Sequence, residues 1–79
     1  MFELKMPQWG MEMTEGTILK WYKGEGERVE KGEALCEIEM AKSVGTFDSP
    51  VSGVINKLIA QVEDTVPVQG VMALIDTGG

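Results

Sequence analysis

Hydrophobic residues along the chain fall in short runs separated by turn-forming residues. Four runs have the length of strands and are rich in β-branched or aromatic residues: residues 16–22 (GTILKWY), 35–39 (LCEIE), 53–58 (GVINKL) and 71–75 (VMALI). Breakers recur too often for a long helix to form, at Gly24, Gly26, Gly32, Gly45, Pro50, Pro67 and Gly70. The pattern predicts an all-β chain.

The two halves of the sequence resemble each other. A shift of 37 residues superimposes Gly16 on Gly53, Ile18 on Ile55, Lys20 on Lys57, Glu27 on Asp64, Val29 on Val66, Ile38 on Ile75 and Glu39 on Asp76. A repeat of this kind indicates two similar β units that share one core. We therefore predict a small sandwich or flattened barrel with quasi-two-fold symmetry, in which each half contributes strands to both sheets.

Length and charge limit the classes of function. Seventy-nine residues, 43% of them hydrophobic, suffice for one small globular domain, which we place at residues 1–79. The formal net charge of −6 has the wrong sign for binding nucleic acid or anionic lipid. No apolar run approaches the roughly 20 residues that span a bilayer. We therefore expect neither nucleic acid nor a membrane as partner.

The side chains available also limit the chemistry. Without histidine the chain cannot build a Ser-His or Cys-His nucleophile, so triad hydrolases are excluded. The single cysteine, Cys36, cannot form an internal disulfide or a zinc site, and it shares an alternating face with Ile38. We expect a buried structural thiol there. A solvated surface, rather than a metal site, is expected for the acids of one turn region, Glu25, Glu27, Glu30 and Glu33.

Three segments carry a resemblance to a known family. They are MPQWGMEMTEG at residues 6–16, GERVEKGEALCEIEMAK at 26–42 and SPVSGVI at 49–55. Together they resemble a lipoyl domain of the biotinyl/lipoyl carrier family, as found in the acyltransferases of 2-oxo acid and acetoin dehydrogenase complexes. The resemblance covers nearly the whole chain, and its combined spacing is highly specific.

The resemblance implies both a fold and a function. The fold would be a barrel-sandwich hybrid of two four-stranded antiparallel sheets, with Lys42 at the tip of a hairpin. Lys42 would carry lipoate in amide linkage, added by a lipoate ligase or lipoyl transferase. A rigid body bearing a long arm raises the local concentration of the arm at several active sites. The implied domain is a non-catalytic carrier and, when isolated, a monomer.

The implied partners are those of a dehydrogenase complex. A thiamine-diphosphate-dependent decarboxylase would acylate the arm, an acyltransferase core would take the acyl group, and a flavin dihydrolipoamide dehydrogenase would reoxidise the dithiol. The implied location is the bacterial or archaeal cytoplasm, or the mitochondrial matrix of a eukaryote. The single unpaired cysteine agrees with a reducing compartment.

The resemblance also assigns roles to the residues around Lys42. The ligase would recognise the residues beside it, Glu39, Met40, Ala41 and Ser43. A partner-recognition loop would comprise Gln8, Trp9, Gly10, Met11 and Glu12. Lipoyl domains usually have Asp-Lys-Ala at the attachment site, where this chain has Ala41-Lys42-Ser43, and biotinyl domains usually have Ala-Met-Lys-Met. Lipoate is favoured; biotin on Lys42, or an unmodified interaction module of the same fold, remain the alternatives.

Three further residues have expected places in the structure. Trp21 and Tyr22 lie in a predicted strand, and we expect both to contribute to the core. Gln69 falls where the first half has Gly32, and Gly70 follows it. We therefore expect the second turn to be shifted by one residue.

Overall fold

The structure is a computed structural model that describes residues 1–40 and 43–78. It contains eight strands in this part of the chain, in the order β1 Phe2–Lys5, β2 Glu15–Trp21, β3 Arg28–Val29, β4 Ala34–Met40, β5 Ser43–Asp48, β6 Gly53–Leu58, β7 Thr65–Pro67 and β8 Val71–Asp76. The strands form two four-stranded antiparallel sheets, with orders β1-β8-β6-β3 and β5-β4-β2-β7. The predicted all-β fold is confirmed.

The sheets follow the predicted internal repeat. A shift of 37 residues places β2 on β6, β3 on β7 and β4 on β8, and it exchanges one sheet for the other. Each half contributes two strands to each sheet, as predicted. Even the irregularities repeat, because the bulge between Ile18 and Lys20 in β2 has its counterpart between Ile55 and Lys57 in β6. A bulge adds local twist, which lets both sheets curve in the same way.

The core lies between the sheets and is built from matched residues of the two halves. Its buried members pair as Ile18 with Ile55, Val29 with Val66, Leu35 with Met72, Cys36 with Ala73 and Ile38 with Ile75, and Leu4, Met6 and Ala60 complete it. In β2 and β6 buried residues alternate with more exposed ones, as a period of two requires, whereas β4 and β8 each contain two consecutive buried residues at matched positions. Neither half could bury these side chains alone, so the two units stabilise each other.

The acidic residues of the turns cap backbone donors. Glu33 Oε1 accepts a hydrogen bond from the Glu30 N–H at 2.7 Å, and Glu25 Oε2 accepts one from the Leu58 N–H at 2.9 Å. The N–H of Glu30 lowers the pKa of the Glu33 carboxyl. These acids are exposed, as expected for a solvated surface, and they also hold the turns in shape.

The turn before β8 differs from the sequence prediction. Gln69 itself adopts a left-handed backbone with φ 75°, and Gly32 at the equivalent place has φ 92°. The turn is therefore not shifted, and that prediction is wrong. Gly70 is needed for another reason, since a Cβ there would lie 2.8 Å from Val66 Cγ1 and 2.9 Å from the carbonyl oxygen of Pro67.

Two of the predicted breakers lie inside strands. Gly45 is an interior residue of β5, where it pairs with Ile38. Pro67 ends β7, which is an edge strand and therefore tolerates a residue without a donor N–H. Both residues were predicted as breakers of a long helix, and no helix forms in the described residues, but the structure includes both of them in strands.

Candidate functional site

The strands on either side of residues 41 and 42 are well defined. β4 ends at Met40 and β5 begins at Ser43, and these two residues pair across the strands. Glu39 and Ser43 are exposed, whereas Met40 is half-buried. The predicted attachment residue Lys42 and its neighbour Ala41 lie outside the described residues. Two of the three described neighbours of Lys42, Glu39 and Ser43, are therefore accessible from solvent.

The predicted partner-recognition loop belongs to a longer connection, residues 6–14, between β1 and β2. The side-chain amide of Gln8 donates to the carbonyl oxygens of Met11 at 3.4 Å and Met13 at 3.3 Å. The Met13 N–H donates to the carbonyl oxygen of Gly10 at 3.0 Å. These bonds fold the loop on itself and leave Met11 98% exposed at its surface. The hydrogen bonds of the Gln8 side chain thus stabilise the conformation of the loop.

Trp9 fastens this loop to β5. Its ring lies on Gly45, where an added Cβ would come within 2.6 Å of Cζ3. The same ring meets Phe47 edge-on, with ring centroids 6.1 Å apart and planes at 86°. Aromatic pairs favour this T-shaped arrangement. Trp9 remains 42% exposed, so one part of the ring contacts β5 while another faces solvent.

The loop and the ends of β4 and β5 enclose one depression. Its lining combines predicted residues of both groups with the start of β2: Trp9, Gly10, Glu12, Met13, Thr14, Glu15, Gly16, Thr17, Glu39, Met40 and Ser43. Of the predicted loop residues, Gln8 and Met11 do not line it; they border a smaller depression with Trp9 and Gly10. The structure therefore joins most predicted recognition residues in one surface beside residues 41 and 42.

Met13, Thr14 and Glu15, which also line the depression, belong to the loop of residues 8–15 that carries the family resemblance. Sequence reasoning missed the glycine on which Trp9 lies. A signal that sets this loop apart is the difference between the two halves. Nine residues connect β1 to β2, but only four connect β5 to β6 at the equivalent place. The halves therefore diverge most at this loop.

Other residues with reactive or aromatic side chains have structural places. Cys36 is fully buried in β4, and burial raises the pKa of its thiol to about 12, which confirms the structural prediction. Trp21 packs against the core and its Nε1–H donates to the carbonyl oxygen of Ala60 at 3.0 Å. Tyr22 was wrongly placed in the core, because it follows the end of β2 and is exposed, with Lys20 Nζ 5.0 Å from its ring centre.

Within residues 1–40 and 43–78, no three His, Cys, Asp or Glu side chains come together to hold a metal ion. The same part of the chain has no helix with the length and hydropathy needed to cross a membrane.

Comparison with known proteins gives consistent relatives. The acetoin cleaving system of Pseudomonas putida has a dihydrolipoyllysine-residue acetyltransferase component that is 36% identical over 75 residues, covering 95% of this chain and 20% of that protein. The corresponding component of the pyruvate dehydrogenase complex of Corynebacterium glutamicum is 45% identical over 74 residues, covering 94% of this chain and 11% of that protein. The chain thus spans a fifth or less of these relatives.

A solved structure and a family profile complete the comparison. The lipoyl domain of the 2-oxoglutarate dehydrogenase complex of Azotobacter vinelandii superimposes with a TM-score of 0.79 at 28% identity, covering 98% of each chain. The profile of the biotin/lipoyl family, described as "Biotin-requiring enzyme", matches residues 2–75. The chain therefore belongs to the biotin/lipoyl family of carrier domains, whose covalently attached group is of the lipoate or biotin type.

Proposed function

We propose that this chain is a lipoylated carrier domain of a 2-oxo acid or acetoin dehydrogenase complex, with lipoate in amide linkage on Lys42. The observation that carries the proposal is the match over 98% of both chains to a lipoyl domain at 28% identity. Relatives named as dihydrolipoyllysine-residue acyltransferase components support it. In the sequence Lys42 comes two residues after Met40, which is the last residue of β4.

The described residues fit a lipoyl group. Glu39 and Ser43 are exposed on paired strands, so a ligase has access to both sides of the attachment residue. When bound, lipoate supplies a disulfide that accepts two electrons together with an acyl group, one sulfur becoming a thioester and the other a thiol. The two sheets supply a rigid base, and the buried Cys36 thiol stays apart from this sulfur chemistry.

The proposal assigns the recognition of several enzymes to the surface beside Lys42. A lipoate ligase or lipoyl transferase would recognise Glu39, Met40, Ala41 and Ser43. A thiamine-diphosphate-dependent decarboxylase would meet the loop of Gln8, Trp9, Gly10, Met11 and Glu12. An acyltransferase core would then accept the acyl group, and a flavin dihydrolipoamide dehydrogenase would reoxidise the dithiol.

Residues 1–79 form one carrier domain, monomeric when isolated, which works in the bacterial or archaeal cytoplasm or in the mitochondrial matrix. Amide formation removes the charge of Lys42 and makes the domain one unit more negative than its formal −6.

Intact-mass measurement after incubation with a lipoate ligase, lipoate and ATP tests the proposal. We expect one lipoyl adduct, mapped to Lys42 by peptide analysis. Lys42→Arg should fold normally and gain no adduct, because an arginine keeps the charge but offers no amine. Lys57→Arg, at an exposed lysine of β6, is the matched control and should be modified fully.

A parallel incubation with a biotin ligase distinguishes the alternatives. A biotinyl adduct in place of a lipoyl adduct would move the chain to the biotin-dependent carboxylases. Modification of Lys42→Arg would overturn the assignment of the site. No adduct from either ligase would favour an unmodified interaction module.

A further inference from the structure

We propose that Trp9 is a positioning residue: its ring, seated on Gly45, holds the β1–β2 loop against β5 so that an acylating enzyme meets a preformed surface beside Lys42. This inference rests on the proposed function. It concerns how the chain presents its arm and adds no catalytic group.

The seat for the ring is a gap in the side chains of β5. A Cβ added to Gly45 would lie 2.6 Å from Trp9 Cζ3 and 3.2 Å from both Cε3 and Cη2. The first distance is well below van der Waals contact and the other two are tight, so a side chain at position 45 would require the ring to shift. Gly45 lies inside β5 without a positive φ, and its backbone therefore does not explain the glycine. The close approach of the ring does.

The other half of the molecule shows what an ordinary side chain does at this place. Gly45 pairs with Ile38, and the residue that pairs with the equivalent Ile75 is Phe2. Phe2 is partly buried and packs against the core from its own strand. In the other sheet β5 has no side chain at this position, because the residue is Gly45, and the ring of Trp9 lies there instead. Trp9 thus covers the place in β5 where the equivalent strand has a side chain, and its ring also holds the loop against β5.

The contact of Trp9 with Gly45 brings the proposed partner-recognition loop close to residues that the ligase is proposed to recognise. Trp9, Gly10 and Glu12 line the same depression as Met40 and Ser43, which flank residues 41 and 42 in the sequence. An enzyme that acts at position 42 works next in sequence to Met40 and Ser43, which line this depression. A loop held in place before the encounter costs less free energy to bind than one that is ordered at each encounter.

Gly45→Ala tests the inference because it unseats the ring while leaving every loop residue unchanged. Gly24→Ala is the matched control, since its new Cβ would meet only Glu27 Oε2 at 3.5 Å, an ordinary contact. All variants are lipoylated to completion, as judged by mass, and their free energies of unfolding are measured in urea. The order of residues 8–12 is followed by the ¹⁵N heteronuclear NOE.

The functional assay is reductive acylation of each lipoylated variant by three thiamine-diphosphate-dependent decarboxylases, specific for pyruvate, 2-oxoglutarate and acetoin. We expect Gly45→Ala to lower the NOE of the loop and to raise the KM for the domain roughly tenfold with kcat unchanged, because only the encounter surface is affected. Gly24→Ala should match the wild type. In a Trp9→Ala background, Gly45→Ala should add nothing, because no ring remains to be displaced.

Each other result has a defined meaning. An unchanged loop NOE in Gly45→Ala, an unchanged KM, or a further loss in the Trp9→Ala background would each overturn the positioning role. If one of the three enzymes acylates the wild-type domain and acylates Gly45→Ala equally well, the positioning role of Trp9 is overturned while the proposed carrier function stands. A lipoylated wild type that none of the three enzymes acylates overturns the proposed carrier function and this inference with it.

Discussion

A substitution at Gln69 tests whether the turn before β8 carries backbone strain. Gln69 has φ 75°, and its counterpart in the first half is Gly32 with φ 92°. A left-handed conformation costs an L-residue about 1–2 kcal/mol, while glycine costs about 0.5–1 kcal/mol through the freedom of the unfolded chain. We therefore expect Gln69→Gly to raise the free energy of unfolding by about 0.5–1 kcal/mol.

The structure makes this substitution a clean one. Gln69 is exposed, and its side chain makes no hydrogen bond to the described residues. Its backbone N–H donates to the Met6 carbonyl oxygen at 3.1 Å, and glycine keeps that bond. With a urea slope of about 1 kcal/mol per molar, the unfolding midpoint should rise by about 0.5–1 M. The melting temperature should rise by about 2–8 °C.

Gln69→Ala separates strain from loss of the side chain. Alanine removes the amide but keeps the Cβ that disfavours a positive φ, so we expect no gain in stability. A gain in Gln69→Ala equal to that in Gln69→Gly would refute the strain argument, and so would an unchanged midpoint in Gln69→Gly. The reciprocal change Gly32→Ala should lower the free energy of unfolding by about 0.5–1 kcal/mol, since it creates at φ 92° the strain that Gln69→Gly removes and gives back the entropy of the glycine.

Two further predictions concern the core. Burial raises the Cys36 pKa to about 12, so the contribution of this thiol to stability should be complete below about pH 8.5 and fall by about 1.4 kcal/mol per pH unit as the pH rises towards 12. Urea unfolding from pH 8 to 10 should show this slope, and Cys36→Ala should remove it over that range. Gly53→Ala should lower the free energy of unfolding by about 3 kcal/mol, because the new Cβ meets the backbone oxygen of Asp76. Gly16→Ala should lower it by only about 1 kcal/mol, because the new Cβ meets side chains that can move, among them Ile38 with Cγ2 at 2.6 Å. Equal urea midpoints for the two variants would contradict this.

The sequence was sufficient for the architecture because the two halves repeat the same inward positions. Ile18 and Ile55 mark equivalent strands, and the equivalent bulges follow them. The short strands were harder to predict, since β3 has two residues and β7 three, too few for a period of two to be visible. Their places are set by pairing with β6 and β2, which is a tertiary effect.

The site was predictable to a different extent. The attachment residue and its neighbours followed from a resemblance in spacing, and Lys42 itself remains a prediction. The contact of Trp9 with Gly45 could not be foreseen, because a glycine in a short segment normally indicates a turn. Its actual role depends on a ring that arrives from a loop 36 residues earlier in the chain. The prediction that Tyr22 contributes to the core was wrong for a similar reason, since hydrophobic character alone does not tell which face of a strand end is covered.

The internal symmetry explains how so small a domain could devote one end to the proposed recognition surface. A core of matched residues supplies the stability, and it needs nothing from the loop of residues 6–14 beyond Met6, which is fully buried, and Met13, which packs against the core. The two sheets would otherwise present equivalent ends. They differ where the loop has five more residues than its counterpart and where Gly45 replaces the side chain that Phe2 provides. Substitutions at the loop surface, at Met11 or Glu12 for example, should therefore alter recognition with little loss of stability. Substitutions at the matched core positions of the two halves should lower stability with little direct effect on recognition.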